Sequence, residues 1–353
     1  MAGHSPGDIY HREVDMLSKA IKPWLEWLWL LPFAAALYYP WALAWGNQAH
    51  LAGAGTPVVL ALILSAYAVP LLAFACVYVT GAQPAMSARL VLARRLSCLA
   101  VAAPPAYTLM GVVLYLMKIY GHDIAVWSGL WLALTGFFAM LSSTGPTISL
   151  VTSDKTYIKL RVAHGIASLA ILLVFLAPHL FNHLLGILGT DVHKSVMDTL
   201  RVVYRNGVLE PVIIVTFFFQ ILSGLVLIRP KTVTRADLLD ALQTASGAYL
   251  SLFIASHINS VFTLARYFGT DTDYAWAVAE PVGLLADPWS IRLLPHYSLA
   301  VFLLIAHLGC GLRGVLSNHN VSETRSSLAT WLVIALGGVV TVIITSGMLG
   351  VRV

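Results

Sequence analysis

The sequence is poor in charged residues. Asp, Glu, Lys and Arg make up 10% of its 353 residues, hydrophobic residues make up 59%, and the mean hydropathy is +0.81. Soluble domains carry about 25% charged residues, so this composition argues against a soluble protein. The net charge of +5 comes from basic residues in short segments between apolar runs. Basic residues in such loops are typical of membrane proteins, whose orientation they determine. We therefore expect the chain to lie in a lipid bilayer and to have no nucleic-acid partner.

Cysteine and cofactor-binding loops are also scarce. The three cysteines, Cys76, Cys98 and Cys310, lie in or beside apolar runs and form no CxxC pair, which argues against disulfides and against a cysteine-bound cluster. The chain has no Gly-rich dinucleotide loop. The first 22 residues are polar and carry Glu13 and Asp15, unlike a cleavable signal peptide. They predict a cytoplasmic lead-in over residues 1–22.

Long uncharged runs are what the sequence has in abundance. Each is about 20 residues long, enough to cross a bilayer as a helix. The runs predict an all-α integral membrane protein with about nine transmembrane helices. Their expected limits are 24–46, 57–80, 97–119, 126–149, 159–186, 208–228, 246–268, 293–315 and 328–350. Pro104-Pro105 interrupts the third run and Pro178 the fifth.

The distribution of basic residues and histidines divides the chain further. With the N-terminus inside, about two thirds of the 21 Lys and Arg residues fall on the inner side. This excess predicts a bacterial-type inner (plasma) membrane protein with a cytoplasmic N-terminus and an external C-terminus. The predicted spans of residues 23–150, a four-helix region, contain no histidine. All histidines that lie within predicted spans belong to residues 151–353. This difference between the two parts of the chain predicts that residues 151–353 form a second, five-helix membrane domain.

Three histidines, His179, His257 and His307, lie deep inside predicted spans. An ionisable side chain in hydrocarbon is costly and by default marks a functional site. The direction of each span places His179 and His257 together in an outer layer, and Gln220 and His307 in an inner layer. Histidines on separate membrane helices can hold a haem from both faces.

Other interpretations of these residues remain open. The histidines could simply bond to backbone carbonyls or hydroxyls, and His179 with His183 could chelate a transition metal at i, i+4 spacing. Tyr204, Arg205 and Glu210 could flank a quinone head group or form an interfacial anchor cluster. The whole chain could instead be a polytopic transporter, or a structural anchor that has lost haem.

The last five spans carry an ordered set of residues. His164 precedes His179 by about four turns in the first of these spans. Gly247 lies ten residues before His257 in the third span, and the fourth contains the pair His307 and Gly311. This order resembles the cytochrome b membrane-anchor family of succinate dehydrogenases and fumarate reductases, over about residues 157–350. Leu209-Glu210 near the start of span six is similar to that family as well.

The resemblance implies a fold, a cofactor and partners. It implies a C-terminal five-helix bundle that binds haem b, exchanges electrons with quinone and anchors iron–sulfur and flavoprotein subunits on the cytoplasmic side. The chain would then be a non-catalytic subunit, since it has neither the cluster cysteines nor the dinucleotide loop itself. The four-helix N-terminal region has no counterpart in that family's anchor.

One position departs from the family pattern. The second helix of the family carries a ligand His in a His-x-x-x-Gly motif, and here Gln220 precedes Gly224 at that spacing. The resemblance pairs the first helix with the third and the second with the fourth. It therefore implies one haem, on His179 and His257, and no haem between Gln220 and His307. If a second haem is bound, His164 is the expected substitute for Gln220.

Overall fold

A computed structural model describes residues 23–141, 147–149 and 157–353, and most of these are helical. The predicted lead-in, residues 1–22, lies outside the described residues. The helices are α1 Leu30–Leu51, α2 Thr56–Gly81, α3 Ala88–Val101, α4 Ala103–Leu116, α5 Asp123–Leu141, α6 Ile158–Ile171, α7 Ala177–Leu184, α8 Thr190–Tyr204, α9 Leu209–Lys231, α10 Leu238–Asn259, α11 Tyr274–Ala277, α12 Leu293–Asn318 and α13 Glu323–Met348. Two short strands, β1 Ala85–Ser87 and β2 Thr147–Ser149, pair antiparallel.

The described residues include seven helical stretches long and apolar enough to cross a membrane, and an eighth if the bent pair α3–α4 is one span. The chain is thus a multi-pass helical membrane protein by the length and composition of its helices. Six of the seven stretches match predicted runs. The stretch Asp123–Met140 matches only the first part of the run 126–149, because residues 147–149 form β2 and residues 142–146 lie outside the described residues; the predicted end of that run is wrong. The bent pair overlaps the third run. Helix α1 overlaps the first run but is not among the seven, so a ninth span stays a prediction.

Prolines shape two of the spans. Helices α3 and α4 meet at Ala102 with a bend of 64°, just before Pro104-Pro105. Between α6 and α7 the chain forms a π-helical turn, Leu172–Leu176, shortly before Pro178. Proline lacks the N–H that continues an α-helical hydrogen-bond ladder and its ring crowds the preceding turn, so the helix must bend or change its register.

Helix α10 begins about two turns before the apolar run that predicts it. Asp237 caps the helix by accepting a hydrogen bond from the Asp240 backbone N–H at 2.8 Å. The Asp237 carboxylate also pairs with Arg313 of α12 at 2.6 Å, which holds its pKa below the usual value although burial opposes this. Acidic residues at the start of a helix stabilise its N-terminus, but they also lower the local hydropathy. The apolar run in the sequence therefore starts after the helix does.

Five helical segments of the C-terminal part form a ring. The segment α6–α7 packs on α9, α9 on α10, α10 on α12, and α12 on α13, while α13 returns to α7 and to the 3-10 turn Leu185–Leu188 that follows it. The contacts between these segments therefore close into a circuit. The N-terminal helices cover the outside of the ring, since α2, α3 and α4 all pack on α10.

Candidate functional site

The ring brings His179 and His257 together. His179 lies on α7 and His257 near the end of α10, two segments that are separated in the ring by α9. Their imidazole ring centres are 6.1 Å apart and their planes are inclined by 69°. The sequence placed both residues in one layer from the direction of their spans alone.

Each of these imidazoles is held by an aromatic side chain one turn earlier. His179 stacks on Phe175 at 4.9 Å and His257 stacks on Phe253 at 5.6 Å, which are i, i+4 neighbours on their helices. A π-helical segment adjoins each residue: Leu172–Leu176 precedes α7, and Ser260–Tyr267 follows α10. π-helical turns are rare and frequently occur at functional sites.

The spacing of this pair fits axial ligation of a haem. An imidazole nitrogen lies about 2 Å from the metal it binds, so two opposed axial imidazoles have ring centres roughly 6 Å apart. One contact must change, because His179 Nε2 lies 3.3 Å from His183 Nε2. That separation is longer than a usual hydrogen bond, so turning the ring toward a metal would break only a weak contact.

A chain of polar side chains leads away from the pair. His183 Nδ1 lies 3.2 Å from His193 Nε2, which also lies 3.2 Å from Asn182 Nδ2. His193 is on α8, is 2% exposed, and stacks on Tyr274 at 4.4 Å. Burial lowers the pKa of His193 to about 4, although the charge of Asp273 opposes this shift. His193 lies outside the predicted spans, and its place beside His183 is a result of tertiary folding that no sequence pattern signals.

The inner layer is arranged differently from the family pattern. Gln220 does not take part as a haem ligand would: its Nε2 donates a hydrogen bond to the backbone carbonyl of His164 at 3.0 Å. His164 Nδ1 lies 2.7 Å from Ser223 Oγ on α9. His307 Nδ1 lies 3.0 Å from Ser246 Oγ and 3.2 Å from the Gln243 carbonyl, both on α10.

The three glycines singled out by the sequence have different surroundings. A Cβ added to Gly247 would lie 3.2 Å from His307 Cε1, and one added to Gly224 would lie 3.7 Å from His164 Cε1. Gly311 has open space beside it, with nothing within 4 Å of an added Cβ. Gly247 and Gly224 thus allow the imidazoles of His307 and His164 to approach the helix backbone. A side chain at Gly311 would meet neither imidazole at its Cβ.

Glu210 lies in the first turn of α9. Its carboxylate forms an ion pair with Arg266. Nearby, the Tyr204 hydroxyl donates to the Phe175 carbonyl at 3.1 Å, and the two rings lie 4.7 Å apart. Since Phe175 stacks on His179, Tyr204 and the imidazole pair belong to one packed aromatic group. Burial, followed by the charges of Arg201 and Arg266, lowers the pKa of Arg205.

Among the described residues, no group of three or more His, Cys, Asp or Glu side chains is arranged to hold a metal ion. Two-point ligation, as in a haem with two axial imidazoles, is the metal chemistry that the spacing of His179 and His257 fits. In comparisons with family models, curated proteins and solved structures, nothing matched this chain.

Proposed function

We propose that this chain is a membrane electron-transfer subunit that binds haem b between His179 and His257 and exchanges electrons with a quinone. The observation that carries the proposal is the separation of 6.1 Å between the two ring centres, on non-adjacent helices of a five-segment ring. Both residues are half-buried, whereas His193 and His296 are only 2% exposed and fully packed. A haem would cover the part of His179 and His257 that the protein leaves exposed.

The proposal includes a particular architecture. Residues 151–353 form a five-helix bundle like the anchor of succinate dehydrogenases and fumarate reductases, and α1 completes a set of nine spans. Residues 23–150 are an added four-helix region that buttresses α10. The protein lies in a bacterial-type inner membrane with its N-terminus in the cytoplasm. The sequence resemblance and the basic residues of the inner segments support this arrangement.

The residues around the pair have separable roles. A bound haem supplies one-electron oxidation and reduction. Phe175 and Phe253 fix the orientation of the two imidazoles by stacking. His183 lies against His179, and its own Nδ1 contact with His193 keeps it in place when the His179 ring turns. The aromatic packing around Phe175 keeps water away from this face of the pair.

Quinone exchange is assigned to the outer end of α9. A quinone needs an apolar groove and one or two hydrogen-bonding groups. Tyr204, which packs on Phe175, and the Glu210–Arg266 pair at the start of α9 supply such groups. Because the sequence contains no cluster cysteines and no dinucleotide loop, electrons must come from other proteins. The proposal assigns this role to iron–sulfur and flavoprotein subunits on the cytoplasmic side.

Spectroscopy tests the haem. The full-length protein, purified from a haem-replete bacterial host, should show a low-spin b-type reduced-minus-oxidised spectrum. His179→Ala and His257→Ala should each remove the haem of the outer pair, since a six-coordinate iron needs both imidazoles. His122→Ala, in an exposed turn, is the matched control and should retain the full signal. A wild-type protein without haem absorbance, or a haem unaffected by both variants, would contradict this assignment.

A transporter is the second candidate, because the 64° bend between α3 and α4 resembles the broken helices of transporter binding sites. The same preparation separates the two functions. A folded wild-type protein that contains no haem, but whose reconstituted vesicles take up solute, would favour transport.

A further inference from the structure

The imidazole of His193 has more polar neighbours than one ring nitrogen can serve. His183 Nδ1 and the amide nitrogen Nδ2 of Asn182 each lie 3.2 Å from His193 Nε2. A ring nitrogen of a neutral histidine has either one proton or one lone pair, so Nε2 can form only one good hydrogen bond. Both separations also lie at the long limit for a hydrogen bond. Hydrogen bonding alone therefore leaves this cluster poorly satisfied.

Burial of the cluster makes this deficiency costly. Asn182 is 4% exposed and His193 is 2% exposed, and Asn182 Oδ1 is buried without a hydrogen-bond partner among the described residues. A buried polar atom that has no partner destabilises a protein, because water no longer solvates it. Rotation of the Asn182 amide by 180° exchanges its two atoms and turns Oδ1 toward His193 Nε2. One oxygen and two nitrogen donor atoms then converge.

The spacing of these atoms suits a small divalent metal ion. Zn²⁺ binds imidazole nitrogen and side-chain oxygen at about 2.0–2.2 Å in tetrahedral sites, which separates neighbouring ligand atoms by about 3.3–3.5 Å. The two separations of 3.2 Å at His193 Nε2 are slightly shorter than this. A cation at the centre would satisfy all three donor atoms at once, which no arrangement of protons on His193 does.

The turn between α7 and α8 holds His193 in position. Gly189 has a φ of 128°, a backbone conformation that side chains other than hydrogen rarely allow, and the His193 N–H donates to the Gly189 carbonyl at 3.2 Å. On its other side, His193 stacks on Tyr274. Tyr274 lies so close to Gly186 that an added Cβ there would be 2.6 Å from the tyrosine hydroxyl. The imidazole of His193 is thus fixed by packing before any ligand binds.

We propose that His183 Nδ1, His193 Nε2 and Asn182 Oδ1 form a binding site for a divalent transition-metal ion such as Zn²⁺, with the fourth position left for water. Two imidazoles and an amide bring no charge of their own. Asp273 lies close enough for its negative charge to act on His193, which favours a cation at this point. The site differs from an i, i+4 chelate of His179 and His183, because it uses the other ring nitrogen of His183 and a ligand from α8.

A metal ion at this site would join α8 to α7. Asn182 and His183 lie on α7 and His193 lies on α8, so the ligands come from both sides of the intervening turn. Through its stacking on His193, Tyr274 would hold α11 against the same point. The expected effect of the ion is therefore on the stability of these segments, and the inference does not depend on the binding of haem.

Zinc binding to the full-length protein in detergent tests the site. After treatment with a chelator and dialysis against Zn²⁺ alone, the wild-type protein should hold one zinc per chain by elemental analysis. X-ray absorption at the zinc edge should show nitrogen and oxygen ligands at about 2.0–2.2 Å. His183→Ala and His193→Ala should each lower the affinity by about a hundredfold or more, since even a partner outside the metal shell contributes about 10–100-fold. His319→Ala, in an exposed turn, is the matched control and should bind zinc as the wild type does.

Substitutions of Asn182 distinguish metal ligation from a hydrogen-bonded cluster. Asn182→Asp keeps the size of the side chain and adds a negative charge, so it should raise the affinity for zinc by about tenfold or more. Asn182→Leu should lower that affinity by about tenfold. Zinc should raise the midpoint of thermal unfolding of the wild type and of Asn182→Asp. The gain in Asn182→Asp keeps the test decisive if an alanine variant fails to fold.

The possible results separate this site from its alternatives. A wild-type protein without stoichiometric zinc, or one whose affinity is unchanged in His183→Ala and His193→Ala, would overturn the site and show a cluster held by hydrogen bonds only. Zinc that is lost in His179→Ala but kept in His193→Ala would also overturn it, in favour of the i, i+4 chelate. Haem absorbance is measured separately in the same preparation, so this inference and the proposed function can fail independently.

Discussion

A buried ion pair between the two halves of the chain allows a quantitative test of how they are joined. Arg292, just before α12, donates from Nη2 to Asp123 Oδ2 of α5 at 2.6 Å, and the two side chains are 6% and 17% exposed. The guanidinium also lies over the ring of Tyr107, with its carbon 4.6 Å from the ring centre. Its Nη1 is buried without a partner among the described residues. Asp123 therefore provides the countercharge for a cation that water reaches poorly.

Asp123→Asn should lower the free energy of unfolding by about 2–3 kcal/mol. Removing one partner of a buried pair costs about 3–5 kcal/mol, because the remaining charge stays buried, but asparagine still accepts the hydrogen bond. Asp198→Asn is the control: this carboxylate is 52% exposed and 3.1 Å from Lys194, so its loss should cost less than about 1 kcal/mol. The assay is denaturant unfolding in detergent micelles, followed by tryptophan fluorescence.

A double variant extends the test of this pair. Asp123→Leu with Arg292→Met removes both charges, and apolar replacement of a whole buried pair is often close to neutral. We therefore expect it to recover much of the stability lost in Asp123→Asn. Equal effects of Asp123→Asn and Asp198→Asn, or a double variant that is the least stable of the three, would refute the role of Asp123 as the countercharge of Arg292.

Two further predictions concern the outer face and the membrane topology. The pKa of His193 is about 4 in the folded protein, against 6.5 for an ordinary histidine. The unfolded chain therefore takes up a proton first as the pH falls. About 3 kcal/mol of stability should be lost between about pH 6.5 and 4. His193→Gln should flatten that part of the stability profile, and an unchanged slope would show that another group is responsible. Reporter fusions in the turn at 319–322 should report the cytoplasm and fusions after Val353 the exterior; the same side for both would mean that α13 does not cross the membrane.

Much of the helical framework follows from local sequence. The runs that predict α2, α9, α12 and α13 are apolar over more than the thickness of a bilayer, where a helix satisfies its backbone polar groups within its own segment. Hydropathy fails at the start of α10, where Asp237 and Asp240 stabilise the helix by capping and charge. It also fails at α3–α4, where α3 begins at Ala88, before the apolar run, and the two helices meet at a bend of 64° just before Pro104-Pro105.

The candidate site could be read from the sequence only in part. Span direction and depth were enough to place His179 and His257 in one layer, since the rise per residue is fixed in a helix. The sequence does not predict the hydrogen bond from Gln220 to the His164 carbonyl. It also does not predict the contacts of Ser223 with His164 and of Ser246 with His307. These contacts join residues that are distant in the chain, and a serine next to a glycine in an apolar helix has many possible neighbours.

The sequence by itself determined that this chain is a helical membrane protein, and which helices carry the histidines, because hydrophobicity and helix geometry are local properties. The tertiary structure decided which histidines meet. His193, on a segment outside the predicted spans, comes to lie beside His183. His164 lies beside Ser223 of α9, and His307 lies beside Ser246 of α10. Such contacts depend on the order in which five helices close into a ring, and that order is fixed by the packing of whole helix faces rather than by any single motif.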